Sequence, residues 1–138
     1  MLVKECMSAR IETVKPDTTI QDCAKTMRDL DIGLLPVWTD GKLAGMITDR
    51  DICIRAVADG RDLAKTCARD IMSKDVAWCF DDQSCADAAL QMEGKHLRRL
   101  AVMNRDKKMV GVLSVDDLAR HDFTLAGEVL KAAAPTAH

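Results

Sequence analysis

Apolar positions from Ile20 to Leu30 fall at Ile20, Cys23, Ala24, Met27 and Leu30. That spacing marks one face of a helix. Thr19-x-x-Asp22 precedes it as a capping box with Asp in place of Glu. Residues 3–7 read as a short helical lead, Ile11 to Val14 as a short strand, and Pro16-Asp17 as its break. Leu34 to Trp38 is a short apolar strand. Asp40-Gly41 is a hairpin turn, and Leu43 to Thr48 the returning strand. A helix is predicted from Asp49 through Ala58.

The same order then returns. Residues 68–72 form a second lead and 76–80 a strand. Ser84-x-x-Asp87 caps a helix that runs to about Lys95. Strands at 99–103 and 109–114 flank the polar turn Asn104 to Lys108, and a helix starts at Val115. Phe123, Leu125, Ala126, Val129 and Leu130 predict a last helix, expected to fray at Ala132-Ala133-Ala134-Pro135.

The repetition extends to residue identity. Gly45-Met46-Ile47-Thr48-Asp49-Arg50-Asp51 recurs 66 residues later as Gly111-Val112-Leu113-Ser114-Val115-Asp116-Asp117. Both read G-x-[I/L]-[T/S]-x-x-D. Upstream the offset is 65: Met7-Ser8 matches Met72-Ser73, Asp17 matches Asp82, and Ile20, Cys23, Ala24 and Met27 match Cys85, Ala88, Ala89 and Met92. One extra residue in the turn before Gly111 accounts for the change. A period this long, containing both helical and strand patterns, indicates two copies of one supersecondary unit. Copy one spans 1–58, a linker 59–67, copy two 68–122, and a terminal helix and tail 123–138. Each copy is a β-α-β-β-α unit of the α/β (α+β) class. A small sheet with two helices cannot bury both faces alone, so the copies are expected to pack about a pseudo-two-fold axis, with clefts between them.

Composition narrows the function. The 138 residues carry 48% hydrophobic residues but only four aromatics, Trp38, Trp78, Phe80 and Phe123. The core must be aliphatic, with many of the eight Met as gap-fillers. Few aromatics weigh against base stacking with single-stranded nucleic acid. A net charge of −2 gives no field for nucleic acid or an anionic membrane. The six cysteines contain no C-x-x-C. The first residues do not read as a signal peptide, and no apolar run reaches membrane-spanning length. Free thiols in a reducing cytoplasm are expected. Zinc binding by Cys with His96 or His121 has little support in the spacing. No G-x-S-x-G, P-loop or H-E-x-x-H occurs, so no enzyme and no catalytic residue are expected.

The element order, the doubled G-x-[I/L]-[T/S]-x-x-D, the doubled Met-Ser and the pair Leu35-Pro36-Val37 and Leu100-Ala101-Val102 resemble the CBS domain family. The run Thr48-Asp49-Arg50-Asp51-Ile52 resembles small bacterial proteins made of one CBS pair, or Bateman module. One copy of the signature would be weak evidence; two in register are strong. The resemblance covers residues 1–122. It implies a regulatory module that binds AMP, ADP, ATP, NAD or S-adenosylmethionine in the clefts, with no obligatory cofactor. It also implies association as a homodimer, with a protein target that the sequence does not identify.

The resemblance assigns candidate ligand contacts. Asp51 and Asp117 would accept hydrogen bonds from ribose hydroxyls, as an acceptor-only carboxylate can. Thr48 and Ser114 would sit at helix starts whose N–H groups favour polar ligand atoms. Capping alone explains the same four residues, and capping and binding are compatible. Thr13-Val14 and Ala77-Trp78 match the stretch lining an adenine pocket, and Val37 and Val102 the apolar positions beneath it. Ordinary sheet core is the competing role for the valines. Arg98 and Arg99 match phosphate-holding positions where copy one has Gly33 and Leu34; a solvated surface pair is the alternative. Arg50 is a further phosphate candidate. Ala101 departs from the Pro at Pro36, and Trp78 adds bulk on one side, so unequal clefts are expected. Two other roles compete with nucleotide sensing: a dimeric interaction scaffold with closed clefts, and a thiol or metal sensor.

Overall fold

The computed structural model describes residues 1–9 and 11–133. In chain order the elements are α1 (Val3–Cys6), α2 (Ile20–Leu30), β1 (Leu34–Thr39), β2 (Lys42–Thr48), α3 (Asp49–Asp51) running into a π-helical segment (Ile52–Val57), and α4 (Ala68–Ile71). Then follow β3 (Trp78–Phe80), α5 (Cys85–Lys95), β4 (Arg99–Met103), β5 (Met109–Ser114), α6 (Val115–His121) and α7 (Phe123–Ala133). The mixed helix and strand content agrees with the α+β reading. Residues 134–138 of the expected tail lie outside the described residues, and α7 stays helical to Ala133, beyond the expected start of fraying.

The chain divides into two compact units. One is Glu12–Val76; the other combines Met1–Ile11 with the chain from Ala77 onward. The cut therefore differs from the sequence repeat. The lead helix α1 packs with copy two, and α4, which leads copy two in sequence, packs with copy one.

In the unit Glu12–Val76, β1 and β2 form an antiparallel hairpin closing at Thr39↔Lys42. Asp40 (φ 51°) and Gly41 (φ 73°) both take the left-handed conformation of a two-residue turn that matches strand twist. Ile20, Cys23, Met27, Leu35, Val37, Ile47 and Ile52 form its core. Three local expectations need correction. Ala24 is exposed, so the buried face of α2 is narrower than the apolar pattern. Ile11–Val14 is not a strand: Val14 alone bridges to Val37, because Pro36 has no N–H to donate to the residues before Val14. The helix after Thr48 is α only to Asp51 and then widens to π geometry.

In the other unit β3 lies parallel to β4, and β4 antiparallel to β5, in the order β3-β4-β5. The predicted strand at 76–80 shrinks to Trp78–Phe80. The longer turn Asn104 to Lys108 is held by Asn104 Oδ1, which accepts from Asp106 N and Lys108 N, both at 3.0 Å. Here is the extra residue that shifts the repeat offset. Val3, Cys79, Ala88, Met92, Leu100, Val102, Leu113 and Leu118 build the core.

The signature glycine and the Met-Ser lead belong to one device. Ser8 exchanges backbone bonds with Val112 (2.9 and 3.0 Å), as Ser73 does with Met46 (2.9 Å each). A Cβ on Gly111 would stand 2.7 Å from Ser8 O and 2.7 Å from Met7 Sδ. On Gly45 it would stand 2.7 Å from Ser73 O and 2.8 Å from Met72 Sδ. Glycine is required because another backbone crosses there.

Candidate functional site

Each copy folds its signature into a reciprocal cap at the end of the second hairpin strand. Thr48 Oγ1 accepts from Asp51 N (3.0 Å) while Asp51 Oδ2 accepts from Thr48 N (3.0 Å). Ser114 Oγ accepts from Asp117 N (3.1 Å) and Asp117 Oδ2 from Ser114 N (2.9 Å). Four helix-terminal donors are thus satisfied locally. Asp51 is 8% exposed and Asp117 5%. Buried carboxylates need partners, and the cap supplies one for one oxygen of each.

The second oxygen distinguishes the copies. Asp117 Oδ1 accepts from Arg120 Nη1 at 3.0 Å, one helical turn on. Asp51 Oδ1 has Arg55 Nη2 only at 3.8 Å, an ion pair beyond hydrogen-bond range. Arg55 instead donates to Ile71 O (3.0 Å) and Ser73 Oγ (3.1 Å), tying the π-helical segment to α4. The i,i+4 and i,i+3 spacings of these arginines from the signature carboxylates are visible in the sequence. Which oxygen each would occupy is not.

The approach to each cap also differs. Gly33 O accepts from Asp49 N (3.0 Å), and a Cβ on Gly33 would meet Asp49 Oδ2 at 2.9 Å. A carboxylate therefore stands over this strand start. At the equivalent place Arg98 O accepts from Val115 N (2.9 Å), and Arg99 is the cross-strand partner of Ser114. Both arginines are exposed, beside the Ser114–Asp117 cap. Asp49 was not among the sequence candidates; its signal was the Asp-for-Val difference between matched positions 49 and 115.

The other candidates occupy distinct surroundings. Arg50 is exposed, and its N–H donates to Asp49 Oδ1 (2.9 Å). Thr13 is exposed and Val14 buried; Val14 N donates to Pro36 O (3.0 Å). Val37 and Val102 are completely buried in the two cores. Ala77 O accepts from Ala101 N (3.0 Å). Trp78 is 42% exposed and stands edge-on to Phe80, with ring centres 4.9 Å apart. Arg105 lies 3.8 Å above Phe80 and grips Asp82 through two 2.8 Å bonds. That grip holds the Asp82 carboxyl below its usual range. The Arg-Phe-Trp stack fixes the indole at the edge of β3.

Among the described residues no helix is long and apolar enough to cross a membrane. All six cysteines are free.

Fold and cap together define a class. The CBS domain family model matches residues 3–57 and again 68–123, and the chain belongs to that family. Its relatives include small CBS domain proteins. The CBS domain-containing protein YhcV of Bacillus subtilis is 37% identical over 117 residues, covering 85% of this chain and 82% of the relative. Hypoxic response protein 1 of Mycobacterium tuberculosis is 32% identical over 119 residues, 86% of this chain and 82% of the relative. Its crystal structure, which has two coordinated zinc ions, matches with a TM-score of 0.74 at 31% identity, covering 88% and 98% of the chains. The CBS domain pair of protein MJ0100, solved with 5′-methylthioadenosine and S-adenosyl-L-methionine, matches with a TM-score of 0.77 at 27% identity, covering 87% and 94%.

Proposed function

We propose that this chain is a regulatory module that binds adenosyl ligands, with Asp51 and Asp117 as ribose acceptors. The observation that carries the proposal is Asp51. It is a buried carboxylate with one oxygen committed to the helix cap and, among the described residues, Oδ1 without a hydrogen bond at normal length. A vicinal diol offers two donors to such a group. The adenosyl ligands of the MJ0100 pair support the same chemistry.

The two copies would then prefer different ligands. Asp49 over Gly33 repels a phosphate, so copy one suits a neutral or cationic adenosyl group such as S-adenosylmethionine. Arg98 and Arg99 beside the Ser114 cap suit AMP, ADP or ATP, because a guanidinium donates two parallel bonds to phosphate. At copy two a ribose must also displace Arg120 from Asp117 Oδ1.

Calorimetry with adenosine, AMP, S-adenosylmethionine and the 2′,3′-dideoxy nucleotide tests this reading. Loss of a charge-assisted bond is worth about 1.5–3 kcal/mol, so Asp51→Ala should weaken its ligand by roughly tenfold or more. The dideoxy compound binding wild-type protein as well as its parent would refute the ribose role.

A further inference from the structure

A second cluster lies in the unit containing copy two. Backbone bonds pin the first residues against the start of α5: Cys85 N donates to Met1 O (2.9 Å), and Val3 N to Gln83 O (2.8 Å). This brings three sulfurs together. The Cys6 thiol donates to Met1 Sδ at 3.1 Å. Cys85 lines the same cavity as Cys6, and the Cys6 sulfur is close enough to act on its thiol. The three line one cavity of about 200 Å³, together with Leu118, His121 and Asp122. Burial, then the Cys6 sulfur, pushes the Cys85 thiol up to about 12. Cys6 and Cys85 are buried, whereas Met1 is 63% exposed.

Two thiols and a thioether converging on an open space form a soft donor set. Among the described residues no three His, Cys, Asp or Glu side chains converge in a way that could hold a metal ion. That leaves zinc short of its four N, O or S ligands. Soft thiolate and thioether donors select Cu(I).

We propose that Cys6, Cys85 and Met1 form a binding site for a soft monovalent cation, Cu(I). Binding releases the two thiol protons to solvent, and both sulfurs bond the ion as thiolates with no change of oxidation state. Sulfurs about 2.3 Å from a shared metal in a trigonal set stand about 4 Å apart. The Cys6–Met1 pair therefore opens by about 1 Å, which the exposed, three-torsion Met1 side chain allows. The site is independent of the nucleotide reading.

The test starts from the full chain with Cys53→Ser and Cys67→Ser, which removes the more exposed thiols. Cu(I) is supplied anaerobically and competed with bicinchoninate. One equivalent per chain is expected, weakened at least tenfold by Cys6→Ala or Cys85→Ala, with circular dichroism checking the fold. X-ray absorption on the copper-loaded starting chain should show a shell of sulfur alone. The proposal is overturned by undiminished affinity in folded Cys6→Ala and Cys85→Ala variants of that starting chain, by nitrogen or oxygen dominating the shell, or by zinc binding as tightly in a parallel competition. If the variants do not fold, the absorption shell decides.

Discussion

Gly111→Ala should destabilise the unit that contains it by about 2–4 kcal/mol, although alanine is a small and common strand residue. The new Cβ would stand 2.7 Å from Ser8 O, and ordinary contact begins at 3.4 Å, so about 0.7 Å must be found. Met7 Sδ, also at 2.7 Å, is the end of a flexible side chain and can swing away. Ser8 O cannot, because it accepts from Val112 N (3.0 Å) while Ser8 N donates to Val112 O (2.9 Å). Weakening both bonds costs about 0.5–1.5 kcal/mol each. Overpacking adds about 1–3 kcal/mol, and the stiffer unfolded chain returns only about 0.4–1 kcal/mol. Gly94→Ala is the control in the same unit. It lies in α5, a Cβ there meets nothing within 4 Å, and it should gain roughly 0.5–1 kcal/mol. Urea unfolding followed by circular dichroism, and by Trp78 fluorescence in a Trp38→Phe background, measures both. A Gly111→Ala loss under about 0.5 kcal/mol, or an equal loss in the control, would refute the crossing-backbone explanation.

Four further outcomes are expected. Arg98→Ala with Arg99→Ala should abolish any preference for AMP over adenosine in calorimetry, while Arg120→Ala should tighten ribose binding at Asp117 several-fold; an unchanged preference removes the phosphate assignment. Burial pushes the Cys23 and Cys79 thiols up to about 11 from 9.0, so between pH 9 and 11 the unfolded chain ionises them while the folded chain does not. Stability should therefore be insensitive to them below pH 9 and fall as pH rises to 11; a denaturant midpoint that rises over that window would contradict it. Ile54 and Val57 on the π-helical segment, and Leu90 on α5, are large apolar side chains left exposed. We expect them to be covered in a homodimer burying more than about 1,000 Å². Light scattering should give a dimer mass, and Leu90→Lys with Ile54→Lys a monomer; a wild-type monomer at tens of micromolar would count against it.

The repeat, the hairpins and the helix starts were legible in the sequence because each depends on local chemistry. Asp40-Gly41 can adopt two successive left-handed conformations, Thr48-x-x-Asp51 and Ser114-x-x-Asp117 can cap their own backbone, and apolar spacing marks the faces of α2 and α5. The candidate ribose acceptors Asp51 and Asp117 were nominated through the family resemblance, because local chemistry by itself accounts only for the cap. What a local pattern cannot carry is which neighbour arrives from elsewhere in the chain. Only tertiary structure sets α1 and Met7-Ser8 against copy two, and this explains the signature glycine, whose missing side chain is needed by a backbone about 100 residues away. Only tertiary structure leaves Asp51 Oδ1, among the described residues, without a close partner while Arg120 takes Asp117 Oδ1, since Arg55 has better acceptors on Ile71 and Ser73. Cys6, Cys85 and Met1 share no motif, so their convergence comes from the backbone pairing of the first residues with the start of α5. Spacing along the chain determines the cap; long-range contacts determine what each cap has left to offer.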